Sequence, residues 1–137
     1  MASGLYDAGR EGFLAATLDW DAHNIKVTLV DNADYTVNLA THDFYDDVVA
    51  TPAAAVAVSG NLASKTTTAG VADAADITFT AVTGDPSESL VVWRDSGSNA
   101  TSGLICYIDT GTGLPVTPNG GDINVAWDSG ANKIFKL

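Results

Sequence analysis

The sequence predicts a mainly β protein, a compact antiparallel β-sandwich or barrel of about eight strands with a short N-terminal helix or arm. The acidic set is almost entirely aspartate, fifteen Asp against two Glu, and Asp prefers caps and turns whereas Glu favours helices. Fifteen Thr and thirteen Val add β-branched side chains that suit a pleated sheet. Short apolar runs also recur between clusters of Gly, Asn, Ser and Asp, which are turn formers.

The N-terminal segment is the best helix candidate, over residues 3–18. Ser3 can cap the helix, and apolar side chains follow at three- and four-residue spacings along one side. Gly9 and Gly12 weaken the helix by about 1 kcal/mol each relative to Ala. A short helical turn followed by a strand over residues 13–18 is therefore kept as an alternative.

Eight segments have the apolar pattern of β-strands. They are residues 25–30, 55–58, 62–68, 77–82, 89–94, 104–108, 123–128 and 133–137. The segments 89–94 and 104–108 are apolar on both faces, which is typical of central strands in a sheet covered on both sides. Residues 95–99 between them are expected to form a flexible hairpin loop.

Three other segments are less regular. Residues 41–47 indicate a loop or a short helix, and residues 71–76 fit either a strand or a link. Residues 111–121 contain four Gly and two Pro and predict an irregular loop, without the Gly-Lys-Ser/Thr ending of a phosphate-binding loop. With no repeat and no composition shift, we expect one domain over residues 1–137, with residues 1–18 as an N-terminal arm.

Charge and hydropathy exclude several partner classes. The net charge is −11, and Lys and Arg form no cluster, so we expect no nucleic-acid partner, because phosphate binding depends on grouped cations. The apolar runs fall far short of the roughly 18 residues that a membrane span needs. No basic-then-apolar signal segment opens the chain. We therefore expect no membrane partner and no signal-directed secretion.

The chain offers few candidates for catalysis. His23 lies in a predicted turn, and His42 precedes Asp43 without the Gly-x-Ser-x-Gly elbow that would accompany a hydrolase triad. Cys106 lies in a predicted strand core, where a thiol behaves as a small hydrophobe, and one cysteine forms no internal disulfide. These patterns favour structural roles for all four residues. We assign no catalytic residue and no cofactor, and expect that the protein is not an enzyme.

Carboxylates and aromatic side chains allow two further hypotheses. The short acidic spacings do not match an EF-hand and predict solvated turns, although a calcium site between loops stays open and no metal ligand is assigned. They involve Asp19, Asp21, Asp31, Asp34, Asp46 and Asp47. The aromatic side chains could form a sugar-binding platform, but core or interface positions are favoured. They include Trp20, Trp93, Trp127, Tyr6, Tyr35, Phe44 and Tyr45.

Several short motifs together resemble a family of small virion proteins of tailed bacteriophages. They span essentially the whole chain: 1–7 (MASGLYD), 10–14 (REGFL), 20–21 (WD), 25–27 (IKV), 38–44 (NLATHDF), 70–76 (GVADAAD), 110–116 (TGTGLPV) and 127–137 (WDSGANKIFKL). The set carries no catalytic chemistry. The resemblance implies a phage structural protein, best matched to a head-decoration or cement role.

That role implies binding to the outside of the capsid and stabilisation of the expanded head by bridging capsomers. The expected partners are the major capsid protein and copies of the chain itself, as a homotrimer. The protein would be made in the host cytoplasm and reside on the outer capsid surface, where its negative charge keeps copies soluble before assembly. The subunit or capsid contacts are expected at Leu5, Tyr6, Phe13, Leu14, Phe44 and Tyr45.

Two other functions are kept as alternatives. A tail-tip or fibre-associated protein could bind a host glycan through exposed aromatics such as Trp20 or Tyr45, or bind another tail protein. A calcium-assisted hydrolase is the third hypothesis, and His42 with Asp43 is the only pair that the sequence offers for it.

Overall fold

The computed structural model describes residues 3–137 and confirms a mainly β, antiparallel fold with a short helix near the N-terminus. The described residues form nine strands and two α-helices. The strands are β1 (Gly4–Leu5), β2 (Ile25–Val30), β3 (Ala55–Val58), β4 (Val71–Ala72), β5 (Ile77–Phe79), β6 (Ser89–Arg94), β7 (Leu104–Ile108), β8 (Ile123–Val125) and β9 (Phe135–Lys136). The helices are α1 (Asp7–Leu14) and α2 (Tyr45–Val48).

A five-stranded antiparallel sheet in the order β1-β7-β6-β2-β3 is the centre of the fold. The predicted strands 25–30, 55–58, 89–94 and 104–108 are confirmed with these bounds. Strands β6 and β7 lie inside the sheet and are buried almost throughout, as their two-sided apolar pattern predicts. The other two sheets have two strands each and pair β4 with β9 and β5 with β8.

The central sheet has an apolar core on each face. One core contains Val27 and Val92 and packs against the two small sheets through side chains such as Phe79 and Phe135. The other core contains Val91 and several buried side chains from the segment 30–48, including Tyr45 and Val48 of α2. Both cores form because successive side chains of β2 and β6 point to opposite faces, and most of them are buried on either face.

An irregularity in the pairing of β6 with β7 changes the alternation of side chains. The register shifts between Val92 and Trp93, so that Ile105 lies between the paired residues Leu104 and Cys106. Ile105 and Cys106 therefore belong to the same core, whereas Leu104 belongs to the other. One extra residue in a strand has this effect.

The predicted N-terminal helix over residues 3–18 is too long. Residues 4 and 5 instead form β1, which pairs with Tyr107 and Cys106 of β7, and the helix ends before Ala16, whose φ of 60° is left-handed. Ser3 does not cap the helix, because its hydroxyl bonds to the Asp109 carboxylate at 2.9 Å. The alternative strand over residues 13–18 is also wrong. Residues 1 and 2 of the predicted arm lie outside the described residues.

Other predicted strands are shorter than expected or absent. Residues 62–68 form no strand, because Ser64 adopts a left-handed φ of 54°. The strand predicted over 77–82 ends at Phe79 because Ala81 has a φ of 50°. Left-handed backbone at isolated residues breaks extended structure, and in this chain several of these residues are alanine, serine or lysine rather than glycine.

The remaining ends and loops agree in part with the sequence. The strands predicted over residues 123–128 and 133–137 are shorter in the structure, where they correspond to β8 and β9. Residues 111–121 form an irregular loop. Of the two alternatives for residues 41–47, the short helix is confirmed in part, because the single helical turn α2 begins within this segment at Tyr45. None of the helices between residues 3 and 137 has the length and apolar character that a membrane crossing needs.

Candidate functional site

The six side chains expected to contact a partner differ sharply in exposure. Leu5, Tyr6 and Tyr45 are buried in the two cores, whereas 90% of Leu14 and 37% of Phe44 is exposed. Phe13 is half-buried and packs against the first core. Their contact with a partner stays a prediction. Among these six side chains, apolar surface is presented to solvent without a rearrangement only by Leu14, Phe44 and the exposed part of Phe13.

Tyr45 illustrates why neighbouring aromatics have different roles. Its ring stacks on Trp93 with centroids 3.9 Å apart and planes 10° apart. Its hydroxyl lies 2.9 Å from Thr28 Oγ1, which also accepts a hydrogen bond from Trp93 Nε1 at 2.9 Å. The Tyr45 side chain thus closes a buried polar network on the second face of the sheet. Phe44, one residue earlier, points out of the core.

Helix α1 lies close against β7, and glycine makes this approach feasible. A Cβ at Gly9 would lie 2.8 Å from the Ile105 carbonyl oxygen and 2.9 Å from that of Leu104. A Cβ at Gly12 would lie 2.7 Å from Leu18 Cδ1. Gly9 therefore allows the helix to pack directly on β7, and Gly12 leaves room for the Leu18 side chain that follows the helix.

Beside this helix lies a surface groove of about 500 Å³, which we call the Arg94 groove. One wall is the small-residue side of α1 and the turn after it, and the other is formed by Phe44 and the loop before β7. Its lining includes Glu11, Ala15, Leu18, Phe44, Arg94 and Thr101. The lining is mostly apolar carbon, with charged groups at a few points. Leu14, the last residue of α1, is not part of this lining, but 90% of it is exposed.

Arg94 is the last residue of β6 and lines this groove. Its backbone nitrogen donates to the Gly103 carbonyl at 2.9 Å. Its side-chain Nε is buried and has no hydrogen-bond partner within residues 3–137, and no carboxylate of these residues forms an ion pair with it. A buried donor without a partner costs about 1–3 kcal/mol. Arg94 is therefore the one side chain in this region with an unmet hydrogen bond.

The acidic neighbours of Arg94 are already engaged or face solvent. Asp95 pairs with Lys26 Nζ at 2.7 Å, and this bond, together with one from the Gly97 backbone nitrogen, lowers the pKa of the Asp95 carboxyl. Glu11 and Asp43 also line the groove but are exposed. The groove thus has one partly buried cation and two solvated carboxylates.

The candidate catalytic groups are held in structural interactions. His42 Nδ1 lies 2.9 Å from the Tyr35 hydroxyl and accepts from the Asn38 backbone nitrogen, so Tyr35 rather than Asp43 is its partner. His23 Nδ1 accepts from the Asp19 backbone nitrogen at 3.0 Å. Cys106 is buried in the first core, and burial raises the pKa of its thiol. Each interaction fixes a turn or fills a core.

The carboxylate spacings predicted as turns mostly form turns. Asp19 Oδ1 accepts from the Asp21 and Ala22 backbone nitrogens, and Asp47 accepts from the Asp43 nitrogen. These bonds are typical of side chains that close local turns.

The structure brings together one acidic cluster of which the sequence spacing indicated two members and not the third. Asp31 and Asp34 meet Asp85, with one oxygen of each lying within 4.8 Å of the others. Asp31 Oδ1 also accepts from the Ala33 backbone nitrogen at 2.8 Å. Three carboxylates fall short of the roughly six to eight oxygen ligands that calcium takes, and Asp31 is partly committed to its own turn.

The aromatic side chains mostly fill the cores. Trp20 and Trp93 are each 4% exposed, and all four tyrosines are buried. Trp127 is half-buried and its Nε1 donates to the Ala75 carbonyl at 3.0 Å. The preference for core positions over a sugar-binding platform is therefore confirmed for these side chains.

Comparisons with known proteins do not identify the chain. No protein-family model matches the sequence, and a search of curated proteins finds no match. Arg94 was not among the site residues predicted from the sequence. The signal that could have drawn attention to it is an arginine, one of two in the chain, as the last residue of an otherwise mostly apolar strand.

Proposed function

We propose that this protein is a non-enzymatic structural protein of a tailed bacteriophage that binds the outside of the capsid and stabilises the expanded head by bridging capsomers. Support for the phage assignment is the set of motifs that resemble small virion proteins. Support for an interaction role is the exposed apolar surface on this part of the molecule, which Phe44 presents in the lining of the Arg94 groove and Leu14 presents at the end of α1. This surface is the observation that carries the proposal.

A cement protein needs many modest contacts repeated by symmetry, and it needs them on a rigid body. The central sheet supplies that body, because both faces are covered and the connecting segments are tied down. The Ser3 hydroxyl, for example, bonds to Asp109 far along the chain, and Trp20 Nε1 donates to the Asp73 carbonyl at 3.2 Å. Such ties would hold the contact surface in place under the outward load of packaged DNA.

The two side chains predicted to bind glycans in the tail-tip alternative are both buried. Trp20 and Tyr45 were to stack on host glycans, but each is 4% exposed, so neither ring offers a face to a sugar. We therefore place the contact surface at α1 and Phe44 and retain the head-decoration function as the proposal.

Copy number per particle tests this proposal. Quantitative mass spectrometry of purified virions, referenced to the major capsid protein, should find hundreds of copies, and electron cryomicroscopy should place them on the outer shell. A few copies confined to the tail, or none, would refute a cement role.

Point variants test the surface itself. Leu14→Glu should lower occupancy on heads by about tenfold or more, because burying a leucine side chain is worth about 1.5–3 kcal/mol. Val58→Glu is the matched control, since Val58 is an exposed residue of β3 at the opposite edge of the sheet from β1. Equal occupancy for both variants would contradict the assignment. These changes are preferable to deleting residues 2–12, which would remove β1 and the buried Tyr6.

A further inference from the structure

We propose that the Arg94 groove binds an apolar segment of the partner protein through a carboxylate, which forms a charge-assisted hydrogen bond with the Arg94 guanidinium. This inference rests on the proposed function, because it names the chemistry of the partner at the same surface. It adds a recognition residue and a ligand class that the apolar side chains alone do not define.

The first argument is the unmet hydrogen bond of Arg94. Its Nε is buried and unpartnered in the described part of the chain, and Asp95, the acid next to it in sequence, is paired with Lys26. Guanidinium groups bind carboxylates with directional, often bidentate, hydrogen bonds that are stronger than bonds between neutral groups. A carboxylate from outside the chain that enters the groove would pair with the Arg94 guanidinium, with which no carboxylate of residues 3–137 forms an ion pair.

The second argument is the shape and lining of the groove. Its volume of about 500 Å³ falls in the range of about 300–1,000 Å³ typical of ligand sites. Leu18, Ala15 and the Phe44 ring supply apolar walls around the single arginine. An arginine contributes most to binding where neighbouring apolar contacts exclude water from its hydrogen bonds.

The third argument concerns the charge of the segment around that carboxylate. Glu11 and Asp43 line the groove and are exposed, and the whole chain carries a net charge of −11. These negative charges would repel a partner segment that carries only a carboxylate. A segment with cations on either side of its carboxylate would instead place those cations opposite Glu11 and Asp43. The favoured occupant is therefore an apolar protein segment with a central Asp or Glu and flanking Lys or Arg.

Nuclear magnetic resonance can test this on the isolated protein. The probes are two synthetic peptides, acetyl-Lys-Leu-Glu-Leu-Lys-amide and the same peptide with Gln in place of Glu. The chain has two arginines, Arg10 and Arg94, so the Nε–H signals are few and can be assigned with Arg→Lys variants. We expect the Glu peptide to shift the Arg94 Nε–H and Phe44 ring signals, with a dissociation constant at least about tenfold lower than that of the Gln peptide.

Matched variants separate the arginine from general charge. Arg94→Gln should remove the preference for the Glu peptide, and Arg94→Lys should restore part of it, because lysine keeps the charge without the planar donor set. Arg10→Gln makes the same charge change at an exposed residue that pairs with Asp7 and should leave both affinities within about twofold. Equal binding of the two peptides, no binding up to about 10 mM, or equal effects of the two Gln variants would overturn the proposal.

Particle binding distinguishes this inference from the proposed function. If the protein decorates heads but Arg94→Gln has normal occupancy, the groove proposal fails and the cement function stands. If the protein is missing from virions while its groove selects the Glu peptide, the function fails and the carboxylate site stands. Loss of occupancy in Arg94→Gln, with Arg10→Gln unaffected, supports both.

Discussion

The buried network around Thr28 gives the most direct test of the fold. Thr28 is fully buried in β2, and its Oγ1 accepts a hydrogen bond from Trp93 Nε1 and lies 2.9 Å from the Tyr45 hydroxyl. Thr28→Val keeps the size and the β-branched shape but removes this oxygen. Two buried polar groups, the indole N–H and the phenol, would then lose a partner.

The expected cost follows from the two orphaned groups. A buried donor or acceptor left without a partner costs about 1–3 kcal/mol, so the loss of a partner by both groups in Thr28→Val should lower the free energy of unfolding by about 2–6 kcal/mol. With an unfolding entropy of about 2.1 cal/mol/K per residue over 137 residues, 1 kcal/mol corresponds to about 3.5 °C. The melting temperature should fall by about 7–21 °C.

Two further variants make the test specific. Thr28→Ser keeps the hydroxyl and loses one methyl group, which should cost about 1 kcal/mol. Thr78→Val makes the same chemical change at an exposed residue of β5, whose hydroxyl bonds to Asn124, and should change stability by less than about 0.5 kcal/mol. Urea unfolding followed by tryptophan emission and circular dichroism measures all three. If Thr28→Val is no more destabilising than Thr28→Ser, the network does not stabilise the fold in the way argued.

Three other predictions concern the surface, Arg94 and pH. Phe44→Ala should cost about 1–2 kcal/mol, since 37% of the residue is already exposed, and under the proposed function it should reduce occupancy on heads. Tyr45→Ala should cost about 3–5 kcal/mol. Thermal melts with equal losses of stability for the two variants would contradict this difference. Arg94→Met keeps the apolar stem and removes the orphaned Nε, so it should raise the free energy of unfolding by about 1 kcal/mol while weakening particle binding; a loss of stability would show that the guanidinium is satisfied in solution. Burial is the main cause that raises the pKa of Tyr35 to about 12 and also raises the pKa of Tyr6 and Tyr45. Tyrosine in the unfolded chain titrates near pH 10, so this stabilisation is complete below about pH 10 and is lost as the pH rises towards about 12, by up to about 1.4 kcal/mol per pH unit for each tyrosine. Urea unfolding at several alkaline pH values should give a shallower decline for Tyr35→Phe than for the unaltered protein, and an unchanged decline would refute the assignment.

The central strands could be predicted from the sequence because their signal is local. Residues 89–94 and 104–108 are apolar on both faces, and only a position inside a covered sheet buries both faces. The N-terminal helix was overextended because residues 4 and 5 pair with β7, about a hundred residues later in the chain. Periodicity within a short window does not contain that pairing.

The candidate site was less predictable for a similar reason. Adjacent aromatics in the sequence, Phe44 and Tyr45, face opposite environments, and only the placement of Thr28 and Trp93 decides which one is buried. The importance of Arg94 depends on its surroundings. Its Nε is buried without a partner in the described residues, and the neighbouring Asp95 is already paired with Lys26. A hydrogen bond that is not made leaves no pattern in a sequence.

The pairing of β1 with β7, and of β4 with β9, has a consequence for how the protein is made. Leu5 finds its strand partner at Cys106, and Ala72 finds its own at Phe135. During synthesis the early segments leave the ribosome long before these partners, so their apolar surface stays uncovered until the late strands emerge. Such distant pairings also slow folding relative to local ones. We therefore expect the central sheet to be complete only after β7 has been translated, and the β4–β9 sheet only after β9. A chaperone that shields β2 and α1 in the interval would raise the yield.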